Sequence, residues 1–135
     1  MLLKLDFSLD TPIYLQIRNQ IVLGIANGNL KPGEKLPPIR TLASETGINT
    51  MTVNKAYQLL KQEGYLITDR RSGAMINPNR AAQDKFRLSD HPQLNLLISE
   101  LYTDGITKDE LLQAVEFLYN KLDTKKSSEE GFYAL

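Results

Sequence analysis

Apolar side chains recur every fourth position at Ile13, Ile17, Ile21 and Ile25, and Tyr14, Leu15 and Val22 widen the stripe. This period predicts a well-buried amphipathic helix. Thr11 is placed to act as its N-cap, Pro12 suits the first helical position, and Gly28 stops it. The stretch LKPGEKLPP that follows is a turn-rich connector, with Pro32-Gly33 as a β-turn and Pro37-Pro38 opening a second helix. That helix is expected over about residues 39–46, burying Ile39, Leu42 and Ala43, with Gly47 as its end.

Ala43, Gly47 four residues on and Val53 six after that make the spacing of a helix-turn-helix. Two crossing helices need a small residue where their backbones approach, a glycine in the short turn, and a branched apolar residue to fill the angle. Asn49 can cap the second helix of the pair. Its apolar face is Val53, Ala56, Tyr57 and Leu60, and its opposite face is Met51, Asn54, Lys55 and Gln58. Tyr14 and Tyr57 both fall at core offsets, which makes them packing residues. Met51 has two open roles, touching thymine methyls from an exposed position or tucking under the turn.

Beyond Gly64 the period changes to that of short β runs, YLIT and AMIN, around the basic tip DRRSG. Helix, helix-turn-helix and hairpin in that order describe a winged helix, in which the second helix of the pair enters the DNA major groove and the hairpin reaches phosphates or the neighbouring minor groove. Some domains of this outline bind only protein, so protein assembly is the competing function.

The C-terminal part returns to helical spacing. Leu94, Leu97, Ile98, Leu101 and Tyr102 form one stripe, and Leu111, Leu112, Val115, Leu118, Tyr119 and Leu122 form a broader one. Gly105 separates them, and Thr107 with Glu110 spells a capping box for the second helix. The tail TKKSSEEGFYAL is polar enough to be loose. Two short helices enclose too little core to bury both stripes against each other. Pairing with the same helices of a second chain would complete a four-helix arrangement, whereas packing back on the same chain's first domain is the rival. The expected organisation is therefore mainly α with a small β-hairpin: a winged helix-turn-helix domain at 1–77 and a two-helix C-terminal dimerisation region with a loose tail at 78–135.

Charge sharpens this division. The 135 residues carry 16 basic and 16 acidic side chains, yet residues 1–77 hold nine basic against six acidic and residues 78–135 seven against ten. The first part is thus the one suited to an anionic partner. Cysteine is absent, which excludes disulfides and thiolate zinc sites. The start MLLKLDFSL is interrupted by Lys4 and Asp6 and makes a poor signal peptide, and no apolar run approaches membrane-spanning length. A cytoplasmic location follows as the expectation. Catalysis finds no constellation: the single histidine, His91, precedes Pro92 and suits a surface or capping role, and the carboxylates are scattered. Neither cofactor nor metal is expected.

From PIYLQIRNQIVLGIANG through LPPIRTLASETGINTMTVNKAYQLLKQEGYL, the chain resembles the N-terminal domain of the GntR family of bacterial transcription regulators, over about residues 11–76. The resemblance implies DNA contacts from Arg40, from Asn49, Thr50, Met51, Thr52, Asn54 and Lys55 at the recognition helix, and from Arg70, Arg71, Ser72 and Gly73 in the wing. Three positions depart from the family pattern. Pro38 replaces a serine that would cap the helix, Thr50 stands where many members carry a guanine-reading arginine, and Arg71 replaces a wing glycine. The common operator bases of the family therefore do not transfer. A DNA-binding domain followed by two short helices is similar to the YtrA subfamily. That resemblance implies a homodimeric repressor on a palindromic double-stranded operator, frequently of its own operon and often one encoding an ABC transporter. A small-molecule effector between the C-terminal helices or at the domain junction is a further idea, with no polar cluster to identify its ligand.

Overall fold

Ile17 and Ile21 are completely buried, and the first unit of the chain is assembled around them. They lie on helix α1, Ile13–Ala26, in a computed structural model that describes residues 3–71, 73–80 and 87–133, without the side chains of 126–133. Helix α2 is Ile39–Thr46, α3 is Thr50–Gln62, and strands β1, Leu66–Asp69, and β2, Gly73–Ile76, pair antiparallel with Leu66 opposite Ile76. Helix α3 packs against α1, α2 and β1, so Val53, Ala56, Tyr57 and Leu60 are buried as their spacing predicts.

The turn between α2 and α3 shows why its residues are needed. Gly47 ends α2 with φ of 73°, a left-handed conformation that costs a side-chain-bearing residue roughly 1–2 kcal/mol. Ile48 is buried beneath the turn, and the Asn49 side chain accepts a hydrogen bond from the Met51 N–H at 2.7 Å, capping α3. The Tyr57 hydroxyl donates to the Pro37 carbonyl at 2.7 Å, tying α3 to the entrance of α2. Burial pushes its pKa up to about 12, so it stays a neutral donor.

Several contacts differ from the local pattern. The N-cap of α1 is Pro12 rather than Thr11, and the Thr11 carbonyl instead accepts from the Gln16 side chain at 2.9 Å. Gln16 is 94% buried in the apolar stripe because its amide is fully used: its oxygen accepts from Asp6 N at 2.9 Å and its nitrogen donates to Asp6 O at 2.8 Å. One turn on, the Gln20 oxygen accepts from Lys4 N at 2.7 Å and its nitrogen donates to Lys4 O. Residues 4 and 6 of an extended arm are spaced by about 6.6 Å, and glutamines four apart on a helix by about 6 Å, so the two ladders match. The connector before α2 also adds a third edge to the hairpin. Lys35 bridges Met75, Leu36 N donates to Ala74 O at 2.9 Å, and Ile76 N donates to Glu34 O at 2.8 Å.

The chain divides into two compact units, Met1–Arg80 and Ala81–Leu135. Residues 77–80 thus belong to the first compact unit. The cause is local: Asn77 N donates to Tyr65 O at 2.9 Å, its side-chain nitrogen to Gly64 O at 3.0 Å, and the Arg80 guanidinium lies 3.8 Å from the Tyr65 ring centre. Arg18, which forms a bidentate pair with Glu63 at 2.9 and 2.8 Å, lies 5.6 Å from the same ring centre.

In the second unit a short 3-10 turn, Leu88–Asp90, precedes α4, Pro92–Thr103, whose N-cap is His91 with Nδ1 accepting from Leu94 N at 3.2 Å. Gly105, at φ of 85°, closes α4 while Ile106 N donates back to Leu101 O at 3.0 Å. Thr107 and Glu110 then exchange hydrogen bonds of 3.2 Å in both directions, the reciprocal capping box. Helix α5 is Lys108–Tyr133, so helical backbone continues through most of the segment expected to be loose. Lys125, Lys126, Glu129 and Glu130 favour helix and no proline interrupts them. Among the described residues no helix is long and apolar enough to cross a membrane.

Candidate nucleic-acid interface

Burying one face of α3 leaves the other in solvent. Thr50, Asn54, Lys55 and Gln58 are exposed, Thr52 is half-buried, and Asn49 is exposed apart from its cap. Met51 is 79% exposed, which removes the option of tucking under the turn and leaves it projecting from the start of the helix. The first turn of α3 thus offers an outward set of short polar groups and one thioether.

Arg40 is exposed at the second position of α2. Its helix starts at Pro38 with no side-chain cap, as expected where proline replaces a hydroxyl residue. The first-turn N–H groups of α2 are therefore not capped by a side chain of the chain itself. A hollow of about 280 Å³ is lined by Pro38 and Ile39 of the α2 entrance, Gln58 and Lys61 of α3, and Thr68 and Gly73 of the hairpin. The start of α2, the later turns of α3 and the base of the wing thus border one hollow, whereas Arg40, residues 49–55, Arg70 and Arg71 do not line it.

At the wing tip, Asp69 and Gly73 are paired across the two strands. The exposed Asp69 carboxylate accepts from Arg71 N at 3.1 Å, a local bond within the wing. Arg70 and Arg71 are exposed, as is Gly73, whose φ is 70°. Ser72 lies outside the described residues. Lys55 differs from Arg40, Arg70 and Arg71: its ammonium sits 4.0 Å from the centre of the Tyr14 ring on α1. Sequence spacing gives no sign of that contact, because residues 14 and 55 are joined only by the packing of α1 on α3.

The C-terminal stripes take a different form. Leu94, Leu101, Leu111 and Leu122 are half-buried, whereas Leu97, Ile98, Tyr102, Leu112, Val115, Leu118 and Tyr119 are exposed within one chain. Leu96 and Phe117, outside the expected stripes, are exposed as well. Between α4 and α5 a mainly apolar hollow of about 490 Å³ is lined by Ile98, Leu101, Tyr102, Ile106, Lys108 and Leu111, and the Thr107 hydroxyl beside them is engaged in the capping box.

The profile of bacterial regulatory proteins of the gntR family matches residues 13–76. Over 113 residues the chain is 34% identical to the HTH-type transcriptional repressor YtrA of Bacillus subtilis (strain 168), spanning 82% of this chain and 86% of that one. Among solved structures, YtrA from Sulfolobus acidocaldarius, a GntR-family transcription factor, is 37% identical at a TM-score of 0.55, covering 89% of this chain and 98% of that one. A transcriptional antiterminator from Listeria monocytogenes EGD-e superposes at a TM-score of 0.77 with 27% identity, over 90% and 92% of the two chains.

Proposed function

The chain belongs to the GntR family, in its YtrA-type branch, and is a DNA-binding transcriptional regulator; from that premise we propose that it is a cytoplasmic homodimer that represses its own operon by occupying a palindromic operator. The observation that carries this reading is the outward polar face of α3, capped by Asn49, with Arg40 and the wing arginines exposed on α2 and the hairpin, the elements packed against α3. Residues 49–55 enter the major groove. Asn49, Thr50, Met51, Thr52 and Asn54 face base edges and Lys55 the backbone, while Arg40, Arg70, Arg71, Ser72 and Gly73 contact the flanking phosphates and groove edge. With Thr50 in place of an arginine, the base contacts are single hydrogen bonds and apolar contacts rather than a bidentate grip on guanine. Residues 78–135 supply the dimer contact, which sets two recognition helices about 34 Å apart on an inverted repeat.

Fluorescence anisotropy against the protein's own upstream DNA, at two salt concentrations, tests this reading. Sequence-selective, salt-sensitive binding is expected. Binding that does not discriminate the upstream region from random DNA would favour the protein-assembly alternative. Changing Arg40 to alanine should cost about 1–3 kcal/mol of specific binding while leaving the fold intact, because the side chain is exposed. Wild-type affinity in that variant removes Arg40 from the interface.

The wing is tested separately. Replacing Arg70 and Arg71 together by alanine should weaken binding to operator and random DNA alike, and reduce the slope of log affinity against log salt by about one to two. Loss of discrimination at unchanged slope would make the wing a base reader instead. Genes adjoining this one identify the regulated operon, with transporter genes matching the class that the YtrA resemblance implies.

A further inference from the structure

Lys55 differs from the other exposed cations assigned to the DNA face because its ammonium has a built seat. It lies 4.0 Å from the centre of the Tyr14 ring, the range in which a cation is held by the negative face of an aromatic ring. Tyr14 is the second residue of α1, half-buried and packed against the same core as Ile17, so its ring is fixed by the scaffold. Lys55 is exposed one helical turn beyond Met51, in the second turn of α3. A free lysine samples many rotamers, and ordering them on binding is a cost that pre-placement removes.

We propose that Tyr14 is a positioning residue for DNA binding: its ring holds the Lys55 ammonium at the outer edge of the recognition helix, ready for a backbone phosphate beside the major groove. The proposal rests on Lys55 meeting DNA. It gives α1 a part in recognition with no DNA contact of its own. Because a lysine presents a point charge and the seat lies away from the first turn of α3, the effect is on affinity for DNA in general rather than on base choice.

The test compares Tyr14→Leu, Tyr14→Phe and Lys55→Ala in the full chain. In the free protein, the ring should shift the Lys55 Cε protons upfield in NMR spectra, with the shift kept in Tyr14→Phe and lost in Tyr14→Leu. Tyr14→Leu should weaken binding to operator and random DNA by the same factor, about two- to fivefold, the weight of an exposed cation–ring contact. Tyr14→Phe should restore wild-type affinity, since its ring offers the same face. In a Lys55→Ala background, Tyr14→Leu should have no further effect, a non-additivity that a purely structural role for the ring would not produce. Equal losses with and without Lys55, or a Phe variant as weak as the Leu variant, overturn the proposal. Should Lys55→Ala leave DNA affinity untouched although the wild-type protein shows the upfield shift, the seat exists but the DNA role of Lys55 falls and the proposal with it, and the wider reading of the interface is left standing on Arg40 and the wing.

Discussion

A chain carrying Leu97→Lys and Leu118→Lys should sediment as a monomer at micromolar concentration, and its affinity for the full operator should fall by about a hundredfold or more, the loss expected when two linked half-site contacts become one. Both leucines are more than half exposed within one chain, at 52% and 55%, so lysine there removes little packing within the chain itself. A two-fold interface presents each substitution twice, and four ammonium groups cannot be buried together. The apolar surface itself supports the expectation. Ile98, Tyr102, Leu112, Val115 and Tyr119 lie open beside the two leucines, and monomeric proteins rarely leave so large an apolar face uncovered. Affinity for an isolated half-site should stay within about twofold of wild type, because the winged helix is untouched. A variant that still sediments as a dimer would show that the pairing surface lies elsewhere.

Leu60→Ala should have the largest effect on stability, lowering the unfolding free energy of the first unit by about 2–5 kcal/mol. The side chain is completely buried where α3 meets α1 and β1, and it ranks among the largest fully enclosed groups. Its backbone carbonyl also accepts from Tyr65 N at 2.9 Å, so the residue sits where the helix hands over to the wing. In a unit of this size, each kcal/mol corresponds to a fall of roughly 4–8 °C in Tm. Ile67→Ala, on the open face of β1, provides the contrast and should change stability by less than about 1 kcal/mol. Urea unfolding followed by tyrosine fluorescence measures both; similar losses for the two would mean that the core is not where burial places it.

The α2–turn–α3 pair and the hairpin could be read from the sequence because their signals are local: a period of 3.6, a cap, a glycine in the left-handed region, then a period of two around a basic tip. Asn49, Thr107 and His91 cap as their positions suggest. The features that escaped are those made by distant residues. Lys35 pairs with Met75 through one bridge, too short to leave an alternating pattern. Gln16 interrupts an apolar stripe and reads as a surface residue until the arm that satisfies its amide is in place. The unit boundary at Arg80 depends on stacking over Tyr65, and Lys55 over Tyr14 depends on helix packing. In the candidate site, the exposed face of α3 follows from periodicity, while the assignment of Arg40 came through family resemblance, since a single arginine after Ile39 has no pattern of its own.

Gln16 and Gln20 grip the arm through the N–H and C=O groups of Lys4 and Asp6, while Leu3 and Leu5 between and beside them pack on the core. Such a grip is indifferent to side chains and strict about spacing. Over evolutionary time the residues at positions 4 and 6 can drift widely, provided neither becomes proline, which would delete the donated hydrogen bond. Insertions and deletions between residues 6 and 11 are another matter, because Gln16 holds Asp6 and Thr11 with the same amide and so counts the residues between them. Among descendants of this sequence, positions 4 and 6 should therefore vary while positions 3 and 5 stay apolar and the arm keeps its length.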